Sequence, residues 1–165
     1  MTYEGRTLVV GDDVDTDAII PAQYLVTTDP TELGRHCLQG LDPALPGKIQ
    51  TGAILVAGRN FGCGSSREHA VLALKGAGIR CVVARSFARI FFRNAINLGF
   101  PVIECPGLEG IEEGHLVSVD LGAGVIRDIS TQREYRMARL PHFILEILTA
   151  GGLVPWAKEK EARWR

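Results

Sequence analysis

The sequence predicts an α/β fold with a mainly parallel sheet flanked by helices, then a C-terminal hairpin and a last helix. Three observations carry this. Short apolar runs stand at AILVA (53–57), CVVA (81–84) and VIEC (102–105), the first bounded by glycines. Such runs read as strands buried on both faces. Between them lie segments of helical composition, which gives the strand–helix–strand order of a parallel sheet with crossovers. Beyond Gly114 the pattern changes to HLVSVDL and GVIRDIS around a Gly-Ala-Gly turn, which reads as a β-hairpin.

Taken in order, Thr7–Val10 is a first strand, ended by Gly11 and two aspartates. The segment DDVDTDAIIPAQYLVTTDPTELGRH is polar, apolar and polar again. Pro21 breaks any helix there, so the segment reads as irregular, with a short helix over 31–37. LDPALPGKIQTG is a connector rich in proline and glycine. After AILVA comes GRNFGCGSSREHA, and then helical composition from Ser66 to Lys75, ending at Gly76 and Gly78. Ser86 is placed to cap a helix through FARIFFRNAINL, stopped by Gly99. Pro141 opens a helix over HFILEILTA, closed by Gly151 and Gly152. The tail WAKEKEARWR is charged and reads as frayed or partner-facing.

The totals narrow the function classes. The 165 residues suit one domain with a sizeable core. The charged fraction is 22%, the hydrophobic fraction 46% and the net charge −1, with a pI near 6.4. These values argue against a nucleic-acid partner held by bulk electrostatics. No apolar run approaches the roughly 20 residues that span a bilayer. The N-terminus lacks a basic start followed by an apolar core, so the expected location is the cytoplasm. Cys37, Cys63, Cys81 and Cys105 form no C-x-x-C pair. They are expected to be free thiols, Cys81 and Cys105 as small core residues. No spacing suits a zinc or iron–sulfur site.

GRNFGCGSSREHA lies between a predicted strand and a helix. Its glycines allow close backbone approach. Ser65 with Glu68 matches the capping box S-x-x-E, which puts Ser65 at a helix N-terminus. Free N–H groups there, beside Arg67, make an anion site able to grip a carboxylate. Three familiar glycine motifs are excluded. No Lys-Ser or Lys-Thr follows, as a P-loop needs. Arg67 stands where the dinucleotide fingerprint needs its third glycine. Cys63 and Arg67 flank Ser65 where a nucleophile elbow needs glycines. Two readings remain: a carboxylate-binding turn presenting a serine hydroxyl, or a plain helix cap with a surface arginine.

GRNFGCGSSREHA, with GDDVDTDAIIPAQYL upstream and RSFARIFFRNAINLG downstream, resembles the swivelling domain of the aconitase family. Within it the chain is similar to the separate small subunits of isopropylmalate isomerase. The resemblance runs from about residue 6 to Pro155 and implies one swivel domain over residues 1–165. It implies a hydro-lyase that interconverts hydroxy-dicarboxylates in leucine biosynthesis, by removing and re-adding water. It also implies a large-subunit partner holding a [4Fe-4S] cluster, with no metal or cofactor bound by this chain. Self-association of the isolated chain stays open.

By the same resemblance Ser65 is the catalytic base, and Ser66 and Arg67 bind a substrate carboxylate. Asp17 orients groups near the base, the alternative being an Asx-turn in an acidic loop. Tyr24, Leu25, Val26 and Thr27 fall in the family's substrate-specificity loop. Related homoaconitases tend to carry arginine directly after Tyr-Leu; Val26 stands there instead and favours an isopropyl group. The alternative for Leu25 and Val26 is packing under a loop. Glu68 and His69 support the motif, His69 either fixing it or serving as a structural histidine. Arg89 and Arg93 are either substrate- or partner-directed or solvated charges. Cys63 is not assigned as a cluster ligand. Homoaconitate, methylcitrate and dimethylmalate remain alternative substrates, and a non-catalytic RNA-binding or regulatory module is the alternative of a different class.

Overall fold

A computed structural model describes residues 1–165. One seven-stranded sheet runs in the order β4-β3-β2-β1-β5-β6-β7. The strands are β1 (Thr2–Val9), β2 (Ile54–Ala57), β3 (Cys81–Ala84), β4 (Val102–Glu104), β5 (Leu116–Asp120), β6 (Val125–Asp128) and β7 (Arg133–Arg136). The α-helices are α1 (Thr16–Ile19), α2 (Pro30–Gly34), α3 (Glu68–Gly76), α4 (Arg89–Asn97), α5 (His142–Ala150) and α6 (Leu153–Trp164).

β1 joins two kinds of sheet. Its C-terminal half, Thr7–Val9, pairs parallel with β2, and β2, β3 and β4 continue in parallel. Its N-terminal half, Thr2–Arg6, pairs antiparallel with β5, and the antiparallel run continues through β6 to β7. The predicted α/β class is the observed one, and the sheet is mixed. The sequence pattern misses Thr2–Arg6 because burial there alternates with Tyr3 as the one apolar side chain on an inner position, the other being Gly5. It misses β7 because REYR is a polar edge; charge on an edge strand hinders pairing with other chains.

The continuous runs over 54–57 and 81–84 are buried at every position. Together with Ile19, Ile20, Leu33, Leu74, Phe91 and Ile103 they belong to one core cluster of 37 residues, which makes a single domain. Cys37, Cys81 and Cys105 are buried in it as free thiols. No buried side-chain polar atom lacks a hydrogen-bond partner. No helix is long and apolar enough to cross a membrane.

Two local expectations are corrected. Ser86 does not cap α4, whose N-cap is Ala88 with no side-chain bond. The Ser86 hydroxyl accepts from Asn60 N at 2.8 Å instead. The C-terminal tail is not frayed but forms α6. Trp156 Nε1 donates to Glu146 Oε2 of α5 at 3.1 Å, and Lys160 Nζ lies 3.0 Å from the same oxygen.

Candidate functional site

Because β1, β2 and β3 are parallel, the chain leaves all three at the same end. The loops that follow, residues 10–15, 58–67 and 85–88, therefore lie side by side. Ligand sites in open α/β sheets form outside the carboxyl ends of strands. Here the loops extend the strand pairing as isolated parallel bridges, Asp15 with Cys63 and Phe61 with Phe87. Main-chain bonds add to this: Gly62 N to Val14 O at 2.8 Å, Thr16 N to Cys63 O at 2.8 Å and Ala88 N to Phe61 O at 2.9 Å.

The aspartates of GDDVDTD pin this assembly. Asp12 Oδ1 accepts from Arg59 N at 2.7 Å, and Asp13 Oδ1 accepts from Asn60 Nδ2 at 3.0 Å. Asp15 caps α1 by accepting from Ala18 N at 2.7 Å. Asp17 Oδ1 takes Arg67 Nη1 at 3.0 Å. The buried Thr16 donates its hydroxyl to Ser65 O at 2.9 Å. Sequence reasoning missed Asp12, Asp13 and Thr16; the density of acids in this loop was the available signal.

The glycines serve the loop assembly. Gly62 has φ +82°, and a Cβ there would collide with the Phe91 ring. That ring sits in an aromatic cluster with Phe61, edge-on at 5.3 Å, and Phe87, stacked at 6.2 Å. Gly64 has φ +92°, a conformation side chains disfavour. At Gly62 the room goes to the protein's own neighbour, not to a ligand.

The capping box does not form. Helix α3 begins at Glu68, and its N-cap is Arg67, with no side-chain bond. Ser65 is held through its carbonyl by Thr16, and Arg67 is held by Asp17. The chain stays extended at Arg67, and the helix starts three residues after Ser65. So Ser65 is not on the face of α3 that carries His69, and Glu68 closes no cap. Glu68 is exposed and His69 half-buried; neither makes a side-chain hydrogen bond.

This failure leaves two hydroxyls free. Ser65 and Ser66 are exposed, and neither side chain has a partner within the chain. With Arg67 they line a cleft of about 200 Å³ whose far wall is the first two turns of α4. Arg89 and Asn94 reach this cleft; Arg93 is exposed and does not line it. The Arg67 guanidinium is 22% exposed and Asp17 65%. One carboxylate orients the arginine from the solvent side, and its remaining N–H donors are left to other acceptors.

The loop at 24–27 does not line that cleft. Tyr24 stacks on His36 at 3.7 Å, and its hydroxyl accepts from Gln39 Nε2 at 2.7 Å. Leu25 packs against the core, and Thr27 Oγ1 accepts from Asp29 N at 3.1 Å. Val26 is 91% exposed. Packing under the loop therefore describes Leu25 and is excluded for Val26.

No three His, Cys, Asp or Glu residues are grouped to hold a metal ion. Burial pushes the Cys37 thiol far up and that of Cys81 up to about 12, which keeps both protonated. Cys63 is raised by burial and by Asp15 and Asp13 nearby. A cluster needs several thiolates together, so this donor set does not fit one.

Residues 44–106 match the aconitase C-terminal domain family. The chain is 54% identical over 160 residues to the 3-isopropylmalate dehydratase small subunit 1 of Methanopyrus kandleri, covering 96% of this chain and 94% of the relative. It is 52% identical over 163 residues to the 3-isopropylmalate dehydratase small subunit of Heliobacterium modesticaldum, covering 98% of each. It is 54% identical over 160 residues to the isopropylmalate/citramalate isomerase small subunit of Methanocaldococcus jannaschii, covering 96% and 95%. A crystal structure of 3-isopropylmalate dehydratase from the latter organism superposes with a TM-score of 0.94 at 47% identity, over 99% of this chain and 98% of that one. With full-length identity above half and the same fold, the chain belongs to the family of 3-isopropylmalate dehydratase small subunits.

Proposed function

We propose that residues 1–165 form the swivel domain and small subunit of a heteromeric cytoplasmic hydro-lyase. It interconverts 2-isopropylmalate and 3-isopropylmalate through isopropylmaleate in leucine biosynthesis. The relatives' small-subunit names support a large-subunit partner. The observation that carries the reading is the meeting of two free serine hydroxyls and an oriented arginine in one cleft.

In this reading Ser65, as alkoxide, takes the proton from the carbon adjacent to the one bearing the hydroxyl. The C–H pair becomes the C=C bond, and the C–O bond breaks. A [4Fe-4S] cluster on the large subunit supplies Lewis acidity toward the leaving hydroxyl. Arg67, aligned by Asp17, and the Ser66 hydroxyl hold a substrate carboxylate. On rehydration, hydroxide equal to that released adds to the carbon that lost the proton, Ser65 delivers its proton to the carbon that lost the hydroxyl, and the alkoxide is restored. A positioned base contributes about 10²–10⁴-fold. The test is reconstitution with the large subunit, comparing Ser65 with Ser65→Ala. A loss of kcat in that range is expected, and undiminished turnover would sink the base assignment.

A second reading keeps this chemistry and widens the alkyl group. The Methanocaldococcus jannaschii relative is named for both isopropylmalate and citramalate. Val26 is exposed and can meet an alkyl group, but an apolar contact discriminates by only about 1–3 kcal/mol per methylene. Val26→Arg is expected to lower kcat/KM for isopropylmalate relative to a tricarboxylic homologue. An unchanged ratio removes the loop from specificity.

A further inference from the structure

The cleft that holds Ser65 has two walls, and only one has been given a role. The 58–67 loop supplies Ser65, Ser66 and Arg67; the opposite wall is the first two turns of α4, with Arg89, Ile90 and Asn94. The only charged residues lining the cleft are Arg67 and Arg89, and no carboxylate lines it. The two arginines differ in what balances them. Arg67 is paired with Asp17 at 3.0 Å. The arginine ion pairs of the molecule involve Arg35, Arg67, Arg127 and Arg165. Arg89 takes part in none, and it makes no side-chain hydrogen bond. It is therefore the uncompensated charge of the cleft.

The backbone that carries Arg89 is fixed, and its side chain is exposed. Ala88 N donates to Phe61 O at 2.9 Å, and Phe61 and Phe87 form a parallel bridge. Phe91 packs directly over Gly62. The residue is thus anchored on both sides to the loop that presents the serines. The first turn of α4 has no side-chain cap, so its N–H dipoles add to the positive field on that wall.

We propose that Arg89 is a second carboxylate-binding residue for the dianionic hydroxy-dicarboxylate substrate, acting from α4 opposite Arg67. This deepens the function proposed above and rests on it. Two arginines lining one cleft of about 200 Å³ from different walls match two carboxylates on a short carbon chain in charge, and each guanidinium suits a planar carboxylate. Fixing the substrate from both walls also sets the reacting carbon against Ser65.

The test uses the complex with the large subunit, with Ser65→Ala present throughout to stop turnover, and titrates isopropylmalate by calorimetry. Adding Arg89→Ala is expected to weaken binding about 10- to 100-fold, the range for a lost charge-assisted contact. Arg89→Lys should recover part of it, and Arg93→Ala, on the same helix but outside the cleft, should change nothing. In the Ser65-intact complex, Arg89→Ala should raise KM by a similar factor. Binding unchanged by Arg89→Ala overturns the inference and leaves the proposed function standing. A parent complex that binds no alkylmalate overturns both. Weaker subunit association with unchanged substrate affinity at saturating large subunit assigns Arg89 to the interface and overturns the inference.

Discussion

In the parallel half of the sheet, polar groups are left open; in the antiparallel half they are closed on one another. Ser65 and Ser66 have no partner within the chain, and Arg67 keeps donors free beyond its bond to Asp17. Asp128, on β6, is fully occupied: Oδ2 lies 2.8 Å from His115 Nδ1, and Oδ1 accepts from Ser130 N and Thr131 N at 3.1 and 3.3 Å. The difference follows from strand direction. Antiparallel neighbours return through short turns whose polar groups meet locally. Parallel neighbours leave their loops at one end, where they must be tied across the chain. GDDVDTD does the tying, and the groups left over form the site.

The largest expected effect that sharpens this contrast is Ser65→Ala, with its loss of about 10²–10⁴ in kcat and no change in stability. Asp128→Ala should do the reverse. It removes the buried carboxylate partner of His115 and of the Ser130 and Thr131 N–H groups, which costs about 1–3 kcal/mol. Denaturant unfolding should show that loss while kcat per folded complex stays unchanged. A fall in kcat would mean the two halves are coupled.

Asp17→Asn should separate orientation from binding. The pair is largely exposed on the Asp17 side, so stability should change by less than about 1 kcal/mol. Arg67 would lose its alignment, and KM should rise about tenfold. An unchanged KM would mean that Arg67 is held by something other than Asp17.

The smallest effect is chemical. Cys63 is partly exposed, whereas Cys37, Cys81 and Cys105 are buried. Mass spectrometry after iodoacetamide treatment of the folded chain should find label at Cys63 alone, and at all four after unfolding. Burial raises the thiols of Cys37, Cys81 and Cys105. Their neutral forms therefore contribute fully below the ordinary thiol value of 9.0, and that contribution is lost as pH rises toward their raised values, about 12 for Cys81. Stability should fall with pH above 9, and less steeply in Cys81→Ala after allowing for its lower starting point.

Much of this was legible in the chain. β2, β3 and the hairpin of β5 and β6 follow from runs and alternation that depend on neighbours in sequence. α5 follows from Pro141 at its N-cap and from Gly151 at φ +91°. The GRNFGCGSSREHA stretch offered either a carboxylate-binding turn or a plain helix cap; the structure closes no capping box there, and Ser65, Ser66 and Arg67 line a cleft. Where local rules failed, a tertiary bond had won. Thr16, 49 positions away, holds the Ser65 carbonyl, and the capping box never closes. The Ser86 hydroxyl goes to Asn60 across 26 positions instead of capping α4.

The sequence by itself determined the class of fold, the order of its elements and the types of residue available for chemistry, because hydrophobic period and turn composition act over a few residues. Only the tertiary structure decided that β1 would pair parallel on one side and antiparallel on the other within one sheet, that Ser65 would stand outside the helix with its hydroxyl free, and that Arg89 would line the same cleft. Those outcomes depend on three loops meeting at one sheet end. Contacts between residues dozens of positions apart leave no periodic trace in the chain that makes them.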